Sequence, residues 1–252
     1  MSPKKLITAL ALPENCIVNQ RIPKTVLTAQ AATSALDKRL IKQGIEILLW
    51  IAALKPDTIG VVAYKNNFVE YLEVSVLHVI FRHDAKINRL IELIHRAIPY
   101  PVLLIVEHNL EVYLSLAHKR WAQNDTERMV LEEGFPQTTI VSDNAPKDFF
   151  DHLAISNLPN TNMQALYSGW LDVVTALEAF YITGSFNLVN KLDKIPNRMA
   201  AIAHIKAIEY KISKLKKKAA KENQISRLVE LNIKLKQLQA TRQTLINKIE
   251  RF

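Results

Sequence analysis

Hydrophobic and polar positions change their period in the middle of the chain. Apolar and polar side chains alternate from residue 69 and then become uniformly apolar up to residue 82, which is typical of a strand that enters a sheet. An amphipathic helix is predicted next, with Asp84 at its N-cap and an apolar stripe at helical spacing formed by Ile87, Leu90, Ile91, Ile94 and Ala97.

Two further strands follow this helix. Residues 102–106 form a short segment of branched apolar side chains, as in a central strand. A tight turn is expected at His108 and Asn109. Residues 111–116 alternate again and predict a returning antiparallel strand. The segment 69–118 is therefore predicted to be a β-α-β-β unit, with an edge strand at 138–142. The apolar run 45–54 is either a buried strand or the end of a helix, and its β-branched start favours the strand.

The chain becomes helical after residue 148. Asn162 is expected to cap a helix that runs to Tyr181, and Gly184 suits the left-handed residue beyond its end. Two basic helices follow, with apolar seams formed by Ile205, Ile208, Ile212 and Leu215, and by Leu228, Leu231, Leu235, Leu238, Leu245, Ile249 and Phe252, with Arg242 in one slot. The two registers do not join, so a turn is predicted at 221–224, which gives an antiparallel helical hairpin. The alternative is a single helix with a stutter.

The predicted fold class is α+β, with a small mixed sheet around the β-α-β-β core, then a helical region ending in the basic hairpin. The predicted domains are an α+β sheet domain (1–145), a helical connector (146–196) and the hairpin (197–252). Residues 1–30 are expected to be loosely structured, and Thr33 or Ser34 to cap a short helix that Gly44 ends.

Positive charge is concentrated at the C-terminus. Residues 197–252 contain 14 Lys or Arg against 4 Asp or Glu, whereas the preceding residues contain 19 against 20. A nearly neutral body therefore carries a strongly basic helical tail, which favours docking to a polyanion or an acidic partner.

The candidate binding residues are cations. They are Lys211, Lys214, Lys216, Lys217, Lys218 and Lys221 near the end of the first basic helix, and His118, Lys119 and Arg120 at a strand end. Cations near a helix C-terminus also stabilise the helix, and a strand-end cluster is often only solvated surface, so both sets have a purely structural alternative.

The sequence carries no motif that predicts a reaction. The strands lack the Glu-x-Lys or Asp-x-Lys of a metal-dependent nuclease. Glu73 and Glu111 could face one another on neighbouring strands, but the alternation is equally consistent with a solvated face for both. Seven histidines show no metal-ligand spacing, and 5 glycines form no phosphate-binding loop. We expect no catalytic residue, metal or cofactor, and a protein that is not an enzyme.

The expected compartment is the cytoplasm. Cys16 is the only cysteine, so an internal disulfide is impossible, and no apolar run is long enough to span a bilayer. The apolar N-terminus lacks a convincing small-x-small cleavage site.

Several segments resemble the bacterial family known as domain of unknown function 4391. They are RIPK (21–24), IHRAIPYPVLL (94–104), LSLAHKR (114–120), ISNLP (155–159), TGSF (183–186), KENQ (221–224) and VELN (229–232). The resemblance implies a genomic context beside helicases and DNA methyltransferases in restriction or phage-defence clusters, and it assigns no catalytic residue.

The leading hypothesis is a non-enzymatic accessory subunit of a bacterial DNA restriction, modification or phage-defence complex. Its hairpin would bind a partner protein, such as a helicase or methyltransferase, or would bind DNA through its lysines. The alternatives are a metal-dependent or degenerate nuclease-like domain and a coiled-coil scaffold that self-associates through the C-terminal helices.

Overall fold

A computed structural model describes residues 1–31, 34–122, 125–132 and 136–251, without the side chains of residues 125–128. Within it the chain divides into two compact units, Met1–Val174 and Thr175–Phe252, each with its own apolar core. The predicted boundaries at 145/146 and 196/197 stay predictions.

The strands lie in the first unit. In chain order they are β1 (Ile17–Arg21), β2 (Ile45–Leu54), β3 (Tyr64–Lys65), β4 (Glu70–Tyr71), β5 (Val74–Phe81), β6 (Val102–His108), β7 (Glu111–Leu116), β8 (Lys119–Ala122), β9 (Asp125–Leu131) and β10 (Gln137–Ile140). The main sheet has the order β1-β2-β5-β6-β7-β10, while β3 pairs with β4 and β8 pairs with β9. Only β5 and β6 run parallel among these neighbours, so the sheet is mixed.

The helices occur in both units. They are α1 (Pro3–Ala9), α2 (Lys24–Gln30), α3 (Ala35–Gly44), α4 (Pro56–Ile59), α5 (Ile87–Ala97), α6 (Lys147–Leu153), α7 (Met163–Thr183), α8 (Ile195–Ala219) and α9 (Ile225–Ile249). The predicted mixed α/β class, with a mixed sheet and C-terminal helices, is confirmed. No helix in the described ranges is long and apolar enough to cross a bilayer.

The crossover helix α5 covers one face of the central strands. Its Leu90 and Ile94 are fully buried in one cluster with Leu77 of β5 and Leu104 of β6. Burial of such side chains contributes about 1.5–3 kcal/mol each, so this layer is a main source of stability in the first unit. A tight turn then reverses the chain into β7, with positive φ at both Asn109 and Leu110.

Some local predictions were wrong. Asp84 does not cap α5, because Lys86 occupies the N-cap and makes no capping bond with its side chain. Residues 1–30 are largely ordered, since they form α1, β1 and α2, and β1 extends the sheet by pairing with β2. Most of β1 is exposed, so it has no hydrophobic pattern that a sequence reading could detect.

The predicted residues at helix ends agree better with the structure. Ser34 Oγ accepts a hydrogen bond from Asp37 N (3.1 Å) at the start of α3, whereas Thr33 lies outside the described residues. Asn162 Oδ1 accepts a bond from Ala165 N (2.9 Å), and Gly184 beyond α7 has a φ of +83°. These caps are confirmed.

A close approach fixes the position of α7 in the first unit. A Cβ atom added at Gly169 would lie 2.6 Å from Cδ of Pro159, which is part of a rigid ring. Trp170 is fully buried beside it and its Nε1 donates to the carbonyl oxygen of Leu153 (2.9 Å). The helix can pack here only because Gly169 has no side chain.

We predict that Gly169→Ala destabilises the protein by about 1–3 kcal/mol, because the added methyl group must displace the ring of Pro159. A Gly→Ala change in an unhindered helix interior would instead stabilise by up to about 1 kcal/mol. Denaturant unfolding measures the sign, and Ser168→Ala on the same helix is the control. A stabilised Gly169→Ala variant would contradict the close approach.

Candidate functional site

Six exposed lysines crowd the end of α8 and the chain that follows it. They are Lys211, Lys214, Lys216, Lys217, Lys218 and Lys221. None of the six forms an ion pair within the described part of the chain, whereas in the same unit Lys206 pairs with Glu178 and Arg242 with Glu209. We call these six residues the lysine cluster.

Helix geometry places most of the cluster on one face. At 3.6 residues per turn, Lys211, Lys214, Lys217 and Lys218 lie within an arc of about 120°. The buried residues Ile205, Ile208 and Ile212 occupy the other side of α8. Lys216–Lys218 lie in the last turn, where they also stabilise the helix dipole, but Lys211 and Lys214 lie outside that turn and have no such structural role.

The start of α9 exposes an aliphatic stripe that sequence reasoning missed. Ile225, Val229 and Ile233 are 79%, 51% and 52% exposed. Their spacing of four residues puts them on one helix face, close in sequence to the lysine cluster. The available signal was this spacing of branched residues outside the heptad seam.

The second predicted cluster is not a surface cluster. Lys119 is only 2% exposed, and its Nζ donates hydrogen bonds to the carbonyl oxygens of Ile98 and Tyr100. His118 and Arg120 are partly buried. Neighbouring side chains in an extended segment point in opposite directions, so three consecutive polar residues do not share one surface.

His118 belongs to a buried aromatic group. The hydroxyl group of Tyr71 is hydrogen-bonded to its Nδ1, and the ring of Tyr167 lies edge-on with a centroid distance of 5.4 Å. The hydroxyl group of Tyr167 donates to the carbonyl oxygen of Val102 (2.8 Å) and accepts from the backbone N–H of Ala117 (2.8 Å). Burial lowers the pKa of His118 to about 4, because it disfavours the charged ring, and burial raises the pKa of both tyrosines.

Lys119 lies on the wall of a cavity of about 660 Å³ in the first unit. The C-terminal end of α5, the end of α2, and strands β8 and β9 surround this cavity. Burial lowers the pKa of Lys119 to about 7. His95 also lines the cavity, and burial followed by the charge of Lys119 holds its pKa well below the usual range. No pattern in the sequence indicated His95.

The expected carboxylate pair does not form. Glu73 precedes β5 at the end where Ser75 lies opposite Val102, whereas Glu111 lies opposite His108 at the other end of the parallel strands. Glu73 is buried and accepts from Ser75 Oγ (3.2 Å), so it is not part of a solvated face either. No group of three or more His, Cys, Asp or Glu residues that could hold a metal occurs in the described ranges.

Comparison with known proteins gives one family. The family model described as Domain of unknown function (DUF4391) matches residues 10–241, which is nearly the whole chain. No curated protein and no solved structure matches the chain.

The buried His118 predicts a pH dependence of stability. The folded pKa of about 4 lies below the unfolded value of 6.5, so between these values only the unfolded state is protonated at this site. The neutral ring therefore favours folding above pH 6.5, and this contribution of about 3 kcal/mol is lost as the pH falls to 4. His95 acts in the same direction.

We expect His118→Gln to reduce the slope of unfolding free energy against pH by up to about 1.4 kcal/mol per pH unit between pH 4 and 6.5. Denaturant titrations at several pH values measure this slope. Above pH 7 the curves of the variant and the wild type should run parallel, which is the internal control. Parallel curves across the acid range as well would contradict the buried neutral state of His118.

Proposed function

This chain belongs to the family described as Domain of unknown function (DUF4391), and we propose that it is a non-enzymatic interaction subunit whose C-terminal helices dock onto an acidic partner protein. The single observation that carries this proposal is the lysine cluster, six exposed cations without an ion-pair partner in the described part of the chain. Such a concentration of like charge is costly for an isolated helix and is relieved by an anionic partner.

The docking element in this proposal is the basic antiparallel hairpin of α8 and α9. Ile202 and Ile205 near the start of α8 share a core cluster with Ile246 and Ile249 at the end of α9. Further along α8, Glu209 accepts a hydrogen bond from Nε of Arg242 (2.8 Å). Later residues of α8 therefore contact earlier residues of α9. This order supports an antiparallel arrangement and explains why Arg242 is tolerated in an apolar seam.

The aliphatic stripe favours a protein over DNA as the partner. Phosphate groups on DNA require cations, and a docking surface for a duplex gains nothing from exposed Ile225, Val229 and Ile233. The lysine cluster lies on the side of α8 away from its buried isoleucines, and the stripe lies on the side of α9 away from its buried Leu231 and Ile249. One partner helix does not reach both sides, so we assign an acidic surface of the partner protein to the lysine cluster and a second, apolar surface of it to the stripe.

A second copy of this chain is a poorer partner. Two lysine clusters brought together would repel one another, and charge complementarity normally selects the opposite sign. In the assembly that the resemblance suggests, the partner would be a helicase or methyltransferase of a restriction, modification or phage-defence system.

The proposal predicts that Lys214→Glu/Lys217→Glu/Lys218→Glu abolishes capture of the partner. Reversing three charges at the interface should weaken binding by at least about tenfold, mainly through faster dissociation and lost steering. The measurement is affinity purification of the tagged full-length chain from its native cells with nuclease treatment, followed by mass spectrometry and titration of the captured protein. The matched control reverses three exposed lysines in the first unit, Lys4, Lys38 and Lys147.

Two further results separate the possible partners. Val229→Ser/Ile233→Ser should weaken the binding of a protein partner at high salt, whereas DNA binding would be insensitive to this change. Binding of a 20-base-pair duplex that depends on the lysine cluster, falls steeply with salt and ignores the stripe would replace the protein partner with DNA. Equal capture by the cluster variant and the control would refute docking through α8.

A further inference from the structure

The cavity beside Lys119 has the size and composition of a small-molecule site. Its volume of about 660 Å³ lies within the usual range for ligand pockets. Much of its wall is apolar, including Ala97, Ile98, Trp121 and Leu131. A few polar groups interrupt this wall, as in sites where a small ligand is oriented by one charged end.

Lys119 brings a buried positive charge to the cavity. Its Nζ makes two hydrogen bonds, both to backbone carbonyl oxygens, so one of its three N–H donors remains. No carboxylate forms an ion pair with it in the described ranges. A buried ammonium group without an anionic partner is costly, and a bound anion would offset that cost.

His95 supplies a second unused donor. Thr138 Oγ1 donates to Ser115 Oγ (3.0 Å), so the hydroxyl group of Ser115 is free to donate to Nε2 of His95 (3.0 Å). In the tautomer that this donation by Ser115 assigns, the proton of the neutral ring lies on Nδ1. This atom is fully buried and has no hydrogen-bond partner among the described residues. His95 lines the cavity, so an acceptor placed beside this nitrogen would satisfy it.

The remaining charged groups at the cavity already have partners. Arg96 is bound to Glu92 (2.6 Å) and Glu70 is bound to Lys65 (2.5 Å), each across a partly exposed contact. Lys119 is therefore the charge that remains to be neutralised. The second donor, His95, is uncharged, so a ligand with one negative charge would neutralise the cavity.

We propose that this cavity binds the carboxylate of a small organic acid, with Lys119 and His95 as the donors and Trp121 against the apolar body of the ligand. A carboxylate offers two acceptor oxygens and a single charge, which matches one ammonium N–H and one imidazole N–H. A phosphate dianion fits less well, because the carbonyl groups at the end of α5 carry the negative end of the helix dipole. The site lies in the first unit and is independent of the lysine cluster.

A purely structural role for Lys119 has a counterpart within the same unit. Lys24 also donates through Nζ to backbone carbonyl oxygens, those of Lys42 and Ile45 at the end of α3. Lys24 lines a different and smaller cavity with Arg21 and Glu46. Lys24→Met is therefore the matched control for Lys119→Met, since both remove a lysine that holds a helix end.

The test uses benzoate as the probe and benzamide as its uncharged isostere. Benzoate should bind the full-length protein with a Kd on the order of 1 mM, given its small size. At ten times the Kd we expect a Tm increase of roughly 3 °C, and benzamide should give none. Benzoate should also change the tryptophan fluorescence, and Trp121→Phe should remove that change while Trp50 and Trp170 remain.

The variants assign the site. Lys24→Met should keep the benzoate response, whereas Lys119→Met should raise the Kd for benzoate by at least tenfold. Equal responses to benzoate and benzamide, no response in the wild type, or a response lost with Lys24→Met instead would overturn the proposal. If Lys119→Met fails to fold, the comparison of the two probes on the wild type and on Trp121→Phe still decides the question.

Discussion

The parallel pairing of β5 with β6 is the constraint on which the first unit depends. Two parallel neighbours need a crossover, and here α5 supplies it across one face of the sheet. With both faces covered, the central strands must be apolar almost throughout, and Val102–Val106 are all fully buried. The same crossover brings the end of α5 to β8, where Lys119 donates to the carbonyl oxygens of Ile98 and Tyr100, just after the helix.

Burial decides what the lysines of this protein can do. Lys119 is enclosed, so its charge is expensive and its pKa falls to about 7. The lysine cluster on α8 is exposed to water, so each charge has little free-energy cost. These charges matter only because several lie close together. We therefore propose different roles for one type of side chain, in a small-molecule site of the first unit and in a docking surface of the second.

The resemblance and the structure contribute different parts of this picture. The family match covers residues 10–241 and extends over both units, but it brings no assigned chemistry. The cavity and the orphan nitrogen of His95 come from the structure alone, and exposure distinguishes the stripe on α9 from a buried face. These features are the basis of the two proposals, which concern separate surfaces.

The sequence by itself determined the features that rest on local period and composition. The apolar strands, the stripe of α5, the caps at Ser34 and Asn162 and the basic helices all follow from spacing and side-chain chemistry within about 25 residues. The lysine cluster was visible for the same reason, because consecutive turns of one helix carry it.

Only the tertiary structure decided which polar residues are buried and which of them meet. His118 and Lys119 are neighbours in sequence, yet one joins Tyr71 and Tyr167 while the other reaches Ile98 and Tyr100. Glu73 and Glu111 lie at opposite ends of the sheet, because strand register sets their separation. Such long-range pairings depend on how the layers pack, and no local pattern encodes them.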